Sequence, residues 1–371
     1  MKKLLLILLC LPLLFTTCKK EEEESSNNGN NNTSLTWKKS FSGYAYSVQQ
    51  NSDGGYIIVG EANHPNSGGD SYLINTDANG NIIWSKNSGY SGELFSVDAS
   101  VDGGYILTGN TWASGQQTNL LLMKIDANGN EQWSDFSSNS LWGVCVQQTI
   151  DGGYVVFTTK GLIKIDANGN ELWNKSLDDI NYSYNVTYGQ QTSDGGYICT
   201  GESDNGDEDA FLAKFDTNGN QQWIKRWDFG NQKDEYGSFV EQTTDGGYIL
   251  GVGANTSKLI KTDSDGNEIW IYNTYVSEGY DGGFYANQTL DGSYITACAD
   301  ASGKIVLTKI DSQGNSIWNT TTYSIDVSNV MKIYETTDLG FIILGNSGDI
   351  DDWYQGDTDI ILIKTDSQGN Y

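Results

Sequence analysis

Two short motifs alternate along this chain, and their alternation restricts the fold more than any other feature. The first is Asp-Gly-Gly-Tyr followed by an apolar run. It occurs at Asp53, Asp102, Asp151, Asp194 and Asp245, with altered copies at Asp291 (DGSY) and Asp338 (DLGF). The second is an apolar run ending in Lys-x-Asp or Asn-x-Asp, then two residues and Gly-Asn. Its aspartates are Asp77, Asp126, Asp166, Asp216, Asp263, Asp311 and Asp366. From Asp53 to Asp338 the first motif recurs every 47 to 48 residues on average. Asp and Asn accept hydrogen bonds from turn amides and Gly supplies positive φ, so each motif reads as a β-hairpin turn. Flanking runs such as Tyr56-Ile57-Ile58-Val59 and Leu120-Leu121-Leu122-Met123 are too short for core helices and lack helical spacing. Being apolar on both faces, they read as strands covered on both sides.

Each repeat therefore supplies four strands, one on either side of each turn. Four strands in a repeat of about 40–50 residues is the pattern of a propeller blade. A Trp follows the Asn of six Gly-Asn pairs by three residues, at Trp84, Trp133, Trp173, Trp223, Trp270 and Trp318. The seventh repeat reaches Gly369-Asn370-Tyr371, short of its fourth strand. The segment around Trp37 has the character of that strand. Residues 35–42 are therefore expected to complete the last blade and cover its open edge. The expected fold is all-β: a seven-bladed β-propeller of four-stranded blades over residues 35–371.

The repeat words, DGGY-I-x-x-G and L-I-K-x-D-x-x-G-N-x-x-W, resemble the β-propeller repeats of bacterial and archaeal cell-surface proteins and lipoproteins. The resemblance covers nearly all of residues 35–371. It implies surface localisation and leaves the ligand open. The Asp turn is also similar to the Asp-box of sialidase propellers, but its Asp-to-Trp spacing is longer, so that activity does not carry over.

The first residues stand apart from the repeats. Lys2 and Lys3 precede an apolar stretch from Leu4 to Phe15, too short to span a bilayer and of secretory-signal type. Cys18 just beyond it makes the segment resemble a bacterial lipoprotein signal. That resemblance implies a signal peptide over 1–17 and lipidation of Cys18. Residues 19–34, KKEEEESSNNGNNNTS, hold nothing to bury and read as a disordered tether with a reach of roughly 20–25 Å. A Lys-then-acidic tract in this position resembles the surface-export tags of some Gram-negative lipoproteins. The expected location is the outer membrane, facing the medium.

Composition narrows the function. A net charge of −27 disfavours nucleic acid and direct adsorption to anionic lipid, leaving the anchor as the contact with membrane. The chain has one Arg, Arg226, and one His, His64, too few for a sialidase-like site or a His-based acid–base or metal site. GxSxG, HExxH and P-loop motifs are absent. No catalytic residue, metal ligand or cofactor is assigned. Calcium has two candidate clusters, Asp204–Asp209 and Asp349–Asp359, which solvated loops explain better. Cys145, Cys199 and Cys298 read as small buried hydrophobes, with a Cys145–Cys199 pair as an open alternative.

Antiparallel strands place both turn motifs on one face of the ring and the remaining loops on the other. The turns are uniform in length and the other loops are not, which puts a binding surface on the variable face. Its aromatic candidates are Trp112, Trp142, Trp227, Tyr236, Tyr280, Trp353 and Tyr354, suited to a glycan or a protein ligand. The expected function is a surface-exposed, lipid-anchored binding or scaffold propeller. The alternatives are a carboxylate-dependent glycoside hydrolase and a purely structural envelope protein. Cys18→Ala should yield an unprocessed or soluble protein; intact mass and membrane fractionation check this, and normal processing with retained membrane attachment would refute lipidation.

Overall fold

The computed structural model describes residues 36–62, 70–112, 118–137, 141–177, 181–204, 208–230, 235–253, 257–274, 284–300, 302–321, 327–348 and 358–371. Both motifs fold as their chemistry requires. In the second, Asp216 Oδ1 accepts the amides of Asn218 and Asn220 at 2.9 and 2.8 Å, and Oδ2 accepts Asn220 Nδ2 at 3.0 Å. In the first, Asp194 Oδ1 accepts the Gly196 amide at 3.0 Å and the Thr192 hydroxyl at 2.5 Å.

The described residues form 27 strands, numbered in chain order. A seven-stranded sheet runs β2 (Tyr44–Gln50), β3 (Tyr56–Glu61), β4 (Asp70–Thr76), β5 (Ile82–Ala99), β6 (Tyr105–Trp112), β7 (Thr118–Ile125), β8 (Glu131–Ser137). Four-stranded sheets follow. The first is β9 (Gly143–Gln148), β10 (Tyr154–Thr158), β11 (Gly161–Ile165) and β12 (Glu171–Ser176). The next is β13 (Ser183–Gln191), β14 (Tyr197–Asp204), β15 (Glu208–Phe215) and β16 (Gln221–Trp227). Then come β17 (Tyr236–Gln242), β18 (Tyr248–Gly253), β19 (Lys258–Thr262) and β20 (Glu268–Asn273). They are followed by β21 (Phe284–Gln288), β22 (Tyr294–Ala299), β23 (Ile305–Ile310) and β24 (Ser316–Thr321). The last sheet has the order β1 (Trp37–Ser42), β27 (Asp359–Thr365), β26 (Phe341–Ser347), β25 (Asn329–Glu335).

The N-terminal strand thus closes the final sheet. It pairs antiparallel with β27, Trp37 opposite Lys364 and Ser42 opposite Asp359. The first and last sheets also share a core, with Val48 and Ile58 packed among Ile342, Leu344 and Ile360. Asn346 locks this junction: its Oδ1 accepts the Ala45 amide at 2.8 Å and its Nδ2 donates to the Ala45 carbonyl at 2.9 Å.

The expectation of seven four-stranded blades is corrected. The sheet order gives five separate four-stranded blades and one seven-stranded sheet over the first two repeats. The cause is β5, an extended run of 18 residues. It pairs with β4 from Ile82 to Ser91 and with β6 from Gly92 onward. Between Asn87 and Ser91 the strand bulges, with Gly89 at φ +89°, and pairing passes from β4 to β6 without a break in β5.

Neighbouring repeats interlock through the outer-strand tryptophans. Trp173 meets Tyr197 of the following repeat edge-on at 5.6 Å, and Trp37 meets Tyr56 at 5.9 Å. Trp173 also lies on Gly219 (φ +76°), where a Cβ would come within 2.7 Å of the ring. Within a repeat, the lysine of the second motif reaches the aspartate of the first. Lys124–Asp102, Lys164–Asp151, Lys214–Asp194, Lys261–Asp245, Lys309–Asp291 and Lys364–Asp338 all lie between 2.7 and 3.0 Å. The lysines are buried or nearly so, while the aspartates remain about half exposed. The first repeat has Asn75 instead, which donates to the Tyr105 hydroxyl at 3.2 Å.

Desolvation alone would raise the Asp194 carboxyl, but hydrogen bonds from Thr192 and Lys214 outweigh it and hold the group at about 2. The other five paired aspartates are lowered in the same way. An unfolded Asp titrates near pH 3.9. These pairs therefore stabilise the fold above about pH 4, and their contribution is lost as pH falls toward about 2. Thermal unfolding followed by circular dichroism should show its steepest acid-side loss in that window, and Lys214→Met should flatten the fall. Gly219→Ala should destabilise by about 1–3 kcal/mol through left-handed strain and the clash with Trp173, read as a lower denaturant midpoint.

Candidate functional site

The inner strand of each repeat lines an axial channel. These strands are β2, β9, β13, β17, β21, β25 and the second half of β5. Each runs toward its first-motif turn, so its late residues lie at the turn face and its early residues at the variable face. Two cavities occupy the channel. One of about 480 Å³ opens among late residues, including Gln49, Gln50, Gln190, Glu241, Asn287 and Glu335. The other, of about 310 Å³, opens among early residues, including Tyr46, Phe95, Trp142, Val144 and Met331. Tyr188, Tyr285 and Lys332 line both and mark the waist.

The variable-face mouth is aromatic. Phe95 and Trp142 stack with centroids 6.3 Å apart, and Tyr46 meets Phe95 edge-on at 4.9 Å. Trp142 is 42% exposed despite its size and lines the smaller cavity. Nearby, the Glu93 carboxylate accepts the Tyr46 hydroxyl at 3.1 Å and Asn110 Nδ2 at 2.9 Å. Glu61, at the end of β3, is buried; desolvation, reinforced by Glu93, pushes its carboxyl up to about 8. Neither Glu61 nor Glu93 lines either cavity.

The sequence candidates separate in space. Trp142 lies at the mouth. Trp112 ends β6 and is 36% exposed, outside the lining of both cavities. Trp227 is buried, packs with Leu212 and Leu250, and donates its indole N–H to Glu268 at 3.3 Å. Tyr236 is half-buried with its ring over Gly253. Cys18, Tyr280, Trp353 and Tyr354 lie outside the described residues. The one arginine, Arg226, crosses the Tyr182 ring at 3.8 Å and donates to the Tyr184 hydroxyl, while its Nε is buried without a partner.

Of the calcium candidates, Asp204 is exposed at the end of β14, and 349–357 lies outside the described residues. Asp209 instead joins Asp228 and Glu235, with one carboxylate oxygen from each within 4.8 Å of the others. One oxygen from each makes three of the six to eight that calcium takes, so the cluster by itself assigns no calcium site. Cys145, Cys199 and Cys298 are buried free thiols, so the Cys145–Cys199 pair does not form. Sequence reasoning missed the channel lining. Its signal was faint: adjacent polar pairs such as Gln49-Gln50, Gln190-Gln191 and Asn287-Gln288 just ahead of the first-motif turns.

No protein-family model and no curated protein matches this sequence. Solved structures resemble it in shape. BamB from Moraxella catarrhalis is 13% identical with a TM-score of 0.54, over 89% of this chain and 99% of that one. The Dos1 propeller is 11% identical with a TM-score of 0.55, over 87% of this chain and 78% of its own. BBS1N, solved in complex with ARL6DN, is 10% identical with a TM-score of 0.57, over 91% and 98%. At such identities the likeness is one of fold, and the chain is a β-propeller.

Between about pH 4.3 and 8, folded Glu61 keeps a proton that the unfolded chain has released. Its contribution to stability is therefore full below about pH 4.3 and is lost as pH rises through about 8. Glu61→Gln should remove that slope, seen as a smaller fall in melting temperature from pH 5 to 9 than in the wild type.

Proposed function

We propose that this chain is a lipid-anchored binding propeller of the outer cell surface, whose glycan or protein ligand docks at the variable-face mouth of the channel. The observation that carries the reading is the cavity of about 310 Å³ with Trp142 exposed beside Phe95 and Tyr46. Aromatic rings lining a concave mouth suit both the C–H faces of sugars and the anchor residues of a protein partner. A protein ligand has a parallel in BBS1N, a propeller of similar fold solved in complex with ARL6DN.

Trp37 lies opposite Lys364, beside the turn that begins at Asp366, so β1 starts on the turn face.

Trp142→Ala should weaken ligand capture about tenfold or more while leaving the melting temperature within a few degrees. Glycan-array screening and pull-down from the native envelope, each with wild type and variant side by side, test this. Absence of any ligand in both assays, or equal capture by the variant, refutes the reading.

A further inference from the structure

One cation stands at the waist of the channel. Lys332, on β25, lines both cavities and is half-buried. Every lysine of the second motif is paired to an aspartate, yet Lys332 makes no ion pair or hydrogen bond among the described residues. The groups around it are Asp98 on β5, Cys145 on β9, Tyr188 on β13, Glu241 on β17 and Tyr285 on β21. Its carboxylate neighbours are already engaged. Asp98 accepts the Gln148 amide at 2.8 Å, and Glu241 accepts Asn287 Nδ2 and the Gln288 amide, each at 3.0 Å. An ammonium drawn out of bulk water with no partner is costly, and an anionic ligand would relieve that cost.

Toward the turn face the lumen widens to about 480 Å³, within the range of about 300–1,000 Å³ typical of small-molecule sites. Its wall mixes side-chain amides and tyrosine rings with two carboxylates, Glu241 and Glu335, both already accepting amide hydrogens. Amides donate and accept, which matches hydroxyl groups, and tyrosine faces match the C–H face of a sugar ring. We propose that this cavity binds a hydroxylated monocarboxylate of monosaccharide size, the hexuronic acid class, with Lys332 pairing the carboxylate and Gln49, Gln190 and Asn287 contacting hydroxyls. A single negative charge fits better than two. One ammonium balances one carboxylate, whereas a dianionic phosphate would face Asp98 and Glu241 with charge to spare.

The same neighbours make binding pH-dependent. Burial raises the Glu241 carboxyl to about 7 against the opposing amide bonds and Lys332. Below that pH Glu241 is neutral and leaves Lys332 to the ligand. Above it, an ionised Glu241 competes for the ammonium and repels the carboxylate.

The test is calorimetric titration of the full chain with D-galacturonate, D-glucuronate, D-galactose and inorganic phosphate at pH 6 and pH 8. A uronate should bind at least about tenfold more tightly than galactose, and more tightly at pH 6 than at pH 8. Lys332→Met should erase the preference for uronate. Burial also lowers the Lys332 ammonium, so Glu241→Gln should narrow, not abolish, the gap between pH 6 and pH 8. No heat with either uronate, equal binding of galactose, tighter binding of phosphate, or an unchanged Lys332→Met overturns the proposal. Should Lys332→Met fail to fold, Glu241→Gln decides: a pH dependence identical to wild type overturns it.

Discussion

Each outer-strand tryptophan rests on the turn glycine of the following repeat, six of the seven also meet its aromatic ring, and the rest of the molecule depends on that contact. A four-stranded sheet cannot bury both faces alone. The tryptophan ties it to the next sheet at the periphery while aliphatic strands close the gap nearer the axis. Trp37 does this for the first repeat although it belongs to the last sheet, so the series has no loose end. The turns at this face are further committed. Their aspartates hold lysines of the same repeat, and amides at their tips, such as Val101 and Ser193, donate to glutamines of the next. A turn engaged on three sides has no freedom to lengthen. That is why sequence variation falls on the opposite loops, where chemistry can change without loosening the ring.

Much of this was legible beforehand because hairpin turns write themselves locally. Asp, Asn and Gly at fixed offsets define the turn, and turn positions define the strands. The completion of the last sheet by residues near Trp37 was legible for the same reason: the missing piece had the composition of its counterparts. Blade separation was not. From Asn87 to Gly92 the backbone bulges and holds two positive-φ glycines, yet pairing passes across it from β4 to β6 and two repeats share one strand. Whether a short polar link bends or runs straight depends on the sheets it joins, a tertiary property.

The site was less legible than the fold. Aromatics in variable segments look alike in sequence. Trp142 remains at a cavity mouth, whereas Trp227 is enclosed by Leu212 and Leu250. The lysine–aspartate ties escaped notice because their members lie 13 to 26 residues apart and meet only across a sheet. The channel lining was less visible still, since it gathers one or two residues from each inner strand and no linear motif marks it. Asp98, Glu241 and Lys332 become neighbours only when the ring is complete.

The pairing of β1 with β27 has a mechanical side. A pull on the chain ahead of Thr36, directed away from the turn face, loads β1 along its own axis. Its cross-strand hydrogen bonds with β27, spread from Trp37 to Ser42, then bear the load together in shear instead of opening one after another. The strand that completes the ring is also the strand through which any pull on the preceding segment enters the fold. A molecule tethered at this point resists being unravelled from the end by which it is held.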